Sequence, residues 1–569
     1  MTVESPVTKA LMASVTAIVT VWLVVILAWT EAPFAITFDD AFYYVGIARN
    51  IAEGNGSTFD GINPTNGYHP LWMLVCVGAF LVGLDGMAAV RTLLAVQVLA
   101  YGAALVAIVQ IVARFTDGWP KGRARRPASL KAGALLLAAT FALVAGNPFV
   151  VKTFVNGLET GISGVILALL LWWGVRADGQ WLSGLTVRQR LGVSGLLSLA
   201  FLARTDAAFL LACISAGVAV EWMRMRPRPN RQVAELLTLP GVTAVVYLAS
   251  NSRIYGGALQ VSGLVKRAEP TVGNVGAFLG FVAVAALVQR LGILRLHATT
   301  LTAGITARPA TIRSSPARFA RTGQFVHRTS WFASFCILLV GYYLTLQTQI
   351  WLWYFCPVVL YLLALLPLAT ADFAEEAFRT AKKQVRANRA LLPVWVMLAV
   401  PLLIAFLITG RQFADPNLRS IQIANADAGA WIDANLPPDA VLAAWDAGAL
   451  GFFSRRSVIN LDGVVNSRAY YDASRQGPKA LRSFLSCRSV RYIANHGGNE
   501  SGEDPGIREF ISELYGSDAG RDARLVHTQP FVYSGITTGS AGTADGLREL
   551  AVHVYEIPAD AARPVGPCP

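Results

Sequence analysis

The stretch LMASVTAIVTVWLVVILAWTEAPFAITFDD, residues 11–40, gives the first indication of the fold of this chain. Its first part, Leu11–Trp29, is apolar and close to the roughly 20 residues that an α-helix needs to cross a bilayer. It is too long for the core of a signal peptide, and no small-residue cleavage site follows it. We therefore predict an uncleaved transmembrane helix. A short loop leads from this helix to two adjacent acids, Asp39 and Asp40.

The composition of the whole chain agrees with a membrane protein. Of 569 residues, 54% are hydrophobic and only 15% are charged, whereas a soluble domain usually carries about 25% charged residues. This balance excludes an ordinary soluble enzyme and a disordered chain. The formal net charge of +13 is expected to set membrane topology rather than to bind nucleic acid.

Further apolar runs predict a polytopic α-helical protein with about eleven spans. These runs cover residues 87–113, 132–149, 161–175, 191–203, 207–223, 236–250, 272–289, 331–347, 352–370 and 391–409. The segment Pro70–Gly83 is also apolar but is shorter than a span, which favours a re-entrant or interfacial helix.

Clusters of lysine and arginine in the loops predict how the spans are oriented. The clusters lie at residues 121–131, 176–190, 224–231, 290–330 and 382–389. All five fall on one side of the membrane if the segment Pro70–Gly83 does not cross it. Because cytoplasmic loops carry the excess of basic residues, we predict a cytoplasmic N-terminus. The outer segment 30–83 and the tail after residue 410 would then be extracytoplasmic.

The chain is predicted to divide into a transmembrane domain, residues 1–410, and a soluble extracytoplasmic α/β domain, residues 411–569. The tail begins with a predicted helix over Leu418–Asn435, which two prolines close. Strands are then expected at Ala440–Trp445, Ser457–Leu461, Arg491–Ala494 and Ala551–Ile557. There is no dinucleotide-binding or phosphate-loop motif. Cys487 and Cys568 are the two cysteines of this polar part, so one disulfide is the most they could form.

The adjacent acids Asp39 and Asp40 stand at the start of a predicted helix over residues 41–52. An acid at a helix N-terminus is often only a cap, favoured by the helix dipole. Two neighbouring carboxylates are more than one cap needs. One could therefore cap the helix while the other faces a cavity at membrane level, where ionisable groups are costly and usually functional.

Several motifs of this chain resemble the integral-membrane glycosyltransferases of the GT-C superfamily. The most specific block is the acid pair, the helix after it and the run NPTNGYHPLW at residues 63–72. Weaker matches are NGLET at 156–160, ARTD at 203–206, YGG at 255–257, LPPD at 436–439 and DAGALG at 446–451. The resemblance covers most of the chain. It is closest to the branch of mycobacterial arabinofuranosyltransferases and bacterial protein O-mannosyltransferase-like enzymes.

This resemblance implies a function and a set of site residues. Enzymes of this class take a sugar from a polyprenyl-phosphate donor, which here would go to an envelope glycan, lipid or protein. The acid of the first outer loop is the expected general base, which is Asp40 or, failing that, Asp39; Glu159 is a third catalytic candidate. The expected donor phosphate and substrate ligands are His69, Arg204, Asp206, Lys266, Arg253, Tyr68 and Tyr354.

Structural explanations compete with each of these assignments. Glu159 could be a first-turn acid of a helix, and Arg204 with Asp206 could be an ion pair at the membrane surface. Lys266 could snorkel, and Tyr354 could belong to an aromatic belt. Asp39, Asp40 and Glu159 could also hold a divalent cation, although no ligand pattern demands one.

Two other functions remain open at the level of sequence. One is a transporter or flippase of lipid-linked sugars, and the other is a non-catalytic envelope protein anchored in the membrane. Transporters often show matched internal repeats, which this chain lacks. A purely structural protein would leave Asp39 and Asp40 without a role. The motifs do not distinguish an arabinofuranosyl unit from a mannosyl or other hexosyl unit.

Overall fold

A computed structural model describes residues 5–116, 127–305, 320–380, 387–497, 504–534, 547–564 and 568. The helices up to residue 414 are α1 (Pro6–Ala28), α2 (Ala32–Ile36), α3 (Asp39–Ala52), α4 (Pro70–Leu81), α5 (Gly86–Thr116), α6 (Pro127–Ala145), α7 (Pro148–Phe154), α8 (Thr160–Arg176), α9 (Val187–Ala203), α10 (Ala208–Arg224), α11 (Asn230–Tyr255), α12 (Val261–Val265), α13 (Val272–Ile305), α14 (Ala320–Arg328), α15 (Ser330–Leu346), α16 (Cys356–Thr380) and α17 (Ala387–Ala414).

Each predicted apolar run coincides with a helix. Among the described residues, six helices are long and apolar enough to cross a membrane, or up to eight if each of two bent pairs counts as one span. The pairs are α6 with α7, bent by 63°, and α14 with α15, bent by 72°. Helices α8 and α9 have 17 residues each and are about 25 Å long, less than the hydrocarbon core of a bilayer. A total of eleven spans therefore stays a prediction.

The segment after the first span folds as the sequence indicates. Helix α3 buries the predicted apolar face, including Ala41, Tyr44 and Ala48, and ends just before Gly54, which adopts a left-handed conformation with φ of 88°. Helix α4 has only 12 residues, so at 1.5 Å per residue it is too short to cross a bilayer. It buries Trp72 and Cys76 on one side.

The C-terminal part is an α/β domain built on one five-stranded sheet. Its strands are β1 (Val441–Ala444), β2 (Ser457–Asn460), β3 (Tyr492–Gly497), β4 (Arg524–Ser534) and β5 (Leu547–Glu556), in the order β2-β1-β3-β5-β4. The first three strands pair in parallel, and β5 pairs antiparallel with both β3 and β4. Its helices are α18 (Ser420–Asn435), α19 (Ala447–Ser454), α20 (Arg468–Gln476), α21 (Pro478–Ser486), α22 (Pro505–Tyr515) and α23 (Ser517–Asp522).

The four predicted strands are present, and the predicted helix over Leu418–Asn435 is α18. Strand β4 was not predicted, because His527, Gln529 and Pro530 interrupt the apolar pattern along it. Cys487 and Cys568 form a disulfide. The chain is therefore a polytopic helical membrane protein with a C-terminal α/β domain.

Candidate active site

A cavity of about 300 Å³ lies where the outer segment, the ends of several long helices and the C-terminal domain meet. The polar side chains that line it are Asp40, Tyr43, Tyr44, Tyr68, His69, Glu159, Arg204, Thr205, Asp206, Gln260, Ser262, Lys266, Tyr342, Tyr343, Gln347 and Tyr354. Val464 and Val465 close one side from the sheet domain. The cavity therefore combines three carboxylates and two permanent cations with a wall of aromatic rings.

Eight of the ten predicted site residues line this cavity. They are Asp40, Tyr68, His69, Glu159, Arg204, Asp206, Lys266 and Tyr354. The other two lie elsewhere. Arg253 is exposed near the end of α11 and does not reach the cavity wall, and Asp39 points into the C-terminal domain.

Arg204 is the centre of a buried polar network. Its guanidinium donates to Glu159 on one side and to Asp206 on the other, where the shortest nitrogen–oxygen distance is 2.7 Å. The Tyr343 hydroxyl accepts a bond of 2.9 Å from Arg204 and donates one of 2.7 Å to Asp206. Buried ion pairs persist when every remaining donor and acceptor is satisfied in this way. Arg204 thus has both of its carboxylate partners in place.

Glu159 is held by the loop that precedes α8. The Gln97 side chain accepts backbone N–H bonds of 3.0 and 2.9 Å from Asn156 and Gly157. Gly157 has a φ of 84°, and a Cβ there would lie 2.4 Å from the Cβ of Ala41, so the turn requires glycine. The second oxygen of Glu159 accepts a bond of 2.9 Å from the Tyr44 hydroxyl. Both oxygens of this carboxylate are therefore occupied.

Asp40 is the accessible carboxylate of the cavity. Its side chain keeps 33% of its exposure, against 5% for Glu159 and 11% for Asp206. The ammonium of Lys266 lies 3.3 Å from its Oδ2. Burial acts to lower the pKa of Lys266, but the neighbouring Asp40 outweighs it and holds that pKa above its ordinary value. Asp40 and Lys266 form a pair that is open to the cavity.

His69 is placed to act as a neutral hydrogen-bonding group. The Gln260 side-chain nitrogen lies 3.1 Å from its Nδ1, while its Nε2 lies 3.7 Å from Glu159. When Gln260 donates to Nδ1, the ring proton is on Nε2, the nitrogen that lies nearest to Glu159. Burial lowers the pKa of His69, although the charge of Glu159 opposes that shift. The backbone N–H of His69 also donates to Tyr44, at 2.9 Å.

Asp39 caps a helix, but a helix in the C-terminal domain rather than its own. Its two oxygens accept backbone N–H bonds from Gly448, at 2.7 Å, and Ala449, at 2.9 Å, in the first turn of α19. Burial raises the pKa of Asp39 well above its usual range, and Asp446 adds to this while the two N–H groups oppose it. A Cβ at residue 448 would meet the Asp39 backbone oxygen at 2.2 Å, which explains the glycine there.

The carboxylates considered for a divalent cation are not gathered in one place. Asp39 faces α19, Asp40 faces Lys266, and Glu159 faces Arg204 and Tyr44. Within the described ranges, no group of three or more His, Cys, Asp or Glu side chains is arranged to hold a metal ion.

Sequence reasoning missed three residues that shape this cavity. Tyr44, Tyr343 and Gln260 bind Glu159, Asp206 and His69 respectively. Tyr44 follows the acid pair by one helical turn, which is a signal that spacing could have given. The other two lie far along the chain from their partners, and nothing in the local sequence marks them.

Comparisons with known proteins give partial matches. A family model described as a domain of unknown function (DUF8728) matches residues 414–541, and no curated protein matches the chain. The solved structures that match include two with TM-scores below 0.5. One is the oligosaccharyltransferase of Archaeoglobus fulgidus, crystallised with zinc and sulfate, at 12% identity and a TM-score of 0.45, covering 89% of this chain and 70% of that one.

The second is ArnT from Cupriavidus metallidurans in its apo state. It is 13% identical with a TM-score of 0.46, and the match covers 94% of this chain and 98% of that one. Such values transfer neither a substrate nor a site residue to this chain. The function of this chain is therefore inferred from the residues of its own cavity.

Proposed function

We propose that this chain is a glycosyltransferase of the GT-C superfamily that moves a sugar from a polyprenyl-phosphate donor to an acceptor hydroxyl at the outer face of the membrane. The observation that carries the proposal is the accessible Asp40–Lys266 pair. It sets a proton acceptor next to a cation in one cavity at the ends of membrane helices. Glycosyl transfer from a lipid phosphate needs these two groups.

Asp40 is assigned as the general base. The acceptor hydroxyl gives its proton to the Asp40 carboxylate while its oxygen bonds to the anomeric carbon of the sugar. The bond from that carbon to the phosphate oxygen breaks, and the electron pair leaves on the polyprenyl phosphate. Of the three cavity carboxylates, Glu159 and Asp206 are engaged by Arg204, which leaves Asp40 to meet the acceptor. This favours Asp40 over Glu159 and over the buried Asp39.

Lys266 is assigned to the phosphate of the donor. Its ammonium is inside the cavity, so a phosphate that enters would share it with Asp40. A cation stabilises the charge that grows on the leaving phosphate, and no proton is needed there. The Nε2 proton of His69 can add one hydrogen bond. Arg204 serves instead to position Glu159 and Asp206, because its donors already have partners.

The aromatic wall suits the sugar and the start of the lipid chain. The rings of Tyr343 and Tyr354 stack with centroids 4.2 Å apart, and Trp353 lies edge-on to Tyr354 at 5.6 Å. Tyr68 also lines the cavity and shares a hydrogen bond of 2.8 Å with Ser57. Aromatic faces offer apolar area against which a sugar ring and an isoprenoid chain can pack.

The orientation is part of the proposal. The N-terminus is assigned to the cytoplasm of a bacterium, and the cavity and the C-terminal domain to the outer side of the plasma membrane. The basic loop clusters support this, as does the Cys487–Cys568 disulfide, because such bonds persist in oxidising compartments. The four remaining cysteines are free and buried.

For the sugar, the sequence resemblance favours an arabinofuranosyl unit or a mannosyl unit. The test is to incubate the purified protein in lipid nanodiscs with radiolabelled polyprenyl-phosphate arabinofuranose or polyprenyl-phosphate mannose and an envelope glycan fraction. The proposal expects label to move from one donor to the acceptor and polyprenyl phosphate to be released. Binding of a donor without release of polyprenyl phosphate, across the acceptor fractions, would favour a transporter.

A further inference from the structure

A second cavity lies between two membrane helices, far from the candidate active site. It has a volume of about 500 Å³ and is bounded by α10 and α13. Its walls are Ala216, Val220, Met223 and Ala286, and its polar lining is Gln289, Arg224 and Arg290. The hollow therefore has small apolar walls with two arginines and one amide, and none of the described residues that line it is acidic.

Side chains of α10 and α13 contact each other on the side of this hollow that is nearer the start of α10. Near the start of α10, Phe209 contacts Phe278 of α13 with ring centroids 6.0 Å apart. The buried Gln289 side chain donates a bond of 2.7 Å to the carbonyl of Cys213. Helix α15 packs against both α10 and α13. Ala216 and Ala286 are small, and the described residues leave the hollow between the two helices open.

The position along the membrane follows from the length of α10. This helix begins two residues after Asp206 of the candidate active site and ends at Arg224. At 1.5 Å per residue, about 25 Å of helix separates the two. That is nearly the thickness of the hydrocarbon core. Arg224 and Arg290 therefore lie near the membrane face opposite the active-site cavity, the face that the basic loops assign to the cytoplasm.

We infer that this crevice binds an anionic phospholipid of the leaflet opposite the active site. Its phosphate would lie between Arg224 and Arg290, and one acyl chain would pack along Val220 and the two alanines. Basic hollows between membrane helices on the cytoplasmic side recognise acidic headgroups, and guanidinium groups match phosphate oxygens in pairs. Arginines at a helix end can reach the lipid headgroups by snorkelling. The apolar hollow beside them adds a place for an acyl chain.

The test is native mass spectrometry of the solubilised full chain titrated with phosphatidylglycerol and, separately, with phosphatidylcholine. We expect phosphatidylglycerol to bind more tightly than phosphatidylcholine. Each arginine near a membrane surface contributes about 1 kcal/mol, which is about fivefold in affinity. In the double variant R224Q/R290Q the affinity for phosphatidylglycerol should therefore fall about 25-fold. Arg188→Gln is the matched control: it removes an exposed charge at the start of α9, on the same face, outside the crevice. It should leave the affinity unchanged.

A second variant keeps the arginines and fills the hollow. Ala286 is exposed and lines the crevice, so Ala286→Trp adds bulk there without entering the protein core. It should also abolish the preference for phosphatidylglycerol. Inorganic phosphate at matched concentration should not displace the lipid, since it lacks an acyl chain. The inference is overturned if the double variant or the tryptophan variant binds phosphatidylglycerol like the wild type, if phosphatidylcholine binds equally well, or if inorganic phosphate competes.

Discussion

Asp39 and Asp40 are adjacent in the chain, yet their side chains serve different parts of the molecule. Asp39 accepts two backbone N–H groups of the C-terminal domain, and Asp40 opens to the cavity beside Lys266. Successive residues of a helix point about 100° apart, which is enough to send one carboxylate to each side. The sequence could show that two acids exceed the need of one cap. The sequence could not show which helix Asp39 caps, because its partner Gly448 lies 409 residues further along the chain.

At Lys266, loss of the charge should weaken binding of the donor. Lys266→Gln removes the cation assigned to the phosphate, and hydrogen bonds to charged groups are worth about 1.5–3 kcal/mol. We expect the KM for the polyprenyl-phosphate donor to rise about 10- to 100-fold, with the KM for the acceptor little changed. Arg253→Gln is the control, since this exposed residue lies outside the cavity. Equal donor KM values in the two variants would count against the assignment of Lys266.

At His69, burial should make stability depend on pH. Its pKa in the folded chain is below the ordinary value of 6.5. Above pH 6.5 the ring is neutral in both the folded and the unfolded chain. As the pH falls below 6.5, the unfolded chain binds a proton that the folded chain resists, so the free energy of unfolding falls. His69→Gln should reduce this acid-side loss of Tm, and an unchanged pH profile would contradict it.

Among the elements, α3 and α19 are the pair that joins the membrane part to the sheet domain. Besides the Asp39 cap, the Tyr43 hydroxyl accepts bonds from the Ala447 N–H, at 3.1 Å, and from Asn460, at 2.8 Å. Arg49 donates to the carbonyl of Phe452 at 3.1 Å. These contacts place Val464 and Val465 at the cavity wall. Helix α3 thus carries Asp40 at the cavity and docks the sheet domain at the same time.

Breaking the Asp39 cap should loosen this junction. Asparagine offers only one oxygen acceptor, so Asp39→Asn leaves one buried N–H of α19 unpaired, at a cost of about 1–3 kcal/mol. We expect faster hydrogen exchange in both α3 and α19. The matched control is Asp504→Asn in the cap of α22, where Gly506 and Ile507 both donate to the same oxygen, which asparagine keeps. It should leave exchange at α3 and α19 unchanged; unaltered exchange at α19 in the Asp39 variant would rule out the docking role.

The elements also show how far the sequence could predict this fold. Apolar runs and turn residues located the long helices and four strands, because local periodicity reports which faces are buried. Strand β4 was not predicted, because it is stabilised by pairing with β5 despite its polar residues and Pro530. That pairing cannot be read from the segment itself. In the cavity, residue types and motifs located Asp40, Lys266 and Glu159. They failed for Arg253, because a cation close to a helix end can face either the cavity or the surroundings.

For the molecule as a whole, the proposed function requires the cavity and the sheet domain to lie on the outer side of the membrane. Ser517 is exposed in the sheet domain, and Arg188 is exposed at the opposite end of the helix that leads to Arg204. In intact cells, Ser517→Cys should react with a membrane-impermeant maleimide and Arg188→Cys should not. The four native free cysteines are buried, which limits background labelling. If only the Arg188→Cys variant were labelled, the orientation would be the reverse of the one proposed, and the cavity would face the cytoplasm.

The proposed sugar transfer with Asp40 as the base is tested by single-turnover transfer in the Asp40→Asn variant. Asparagine keeps the shape but accepts no proton, so the rate should fall about 10²- to 10⁴-fold while Tm and donor binding persist. Glu53→Gln, which removes an exposed acid from the end of the same outer helix, should transfer at the wild-type rate. Wild-type turnover in a folded Asp40→Asn variant would contradict the account.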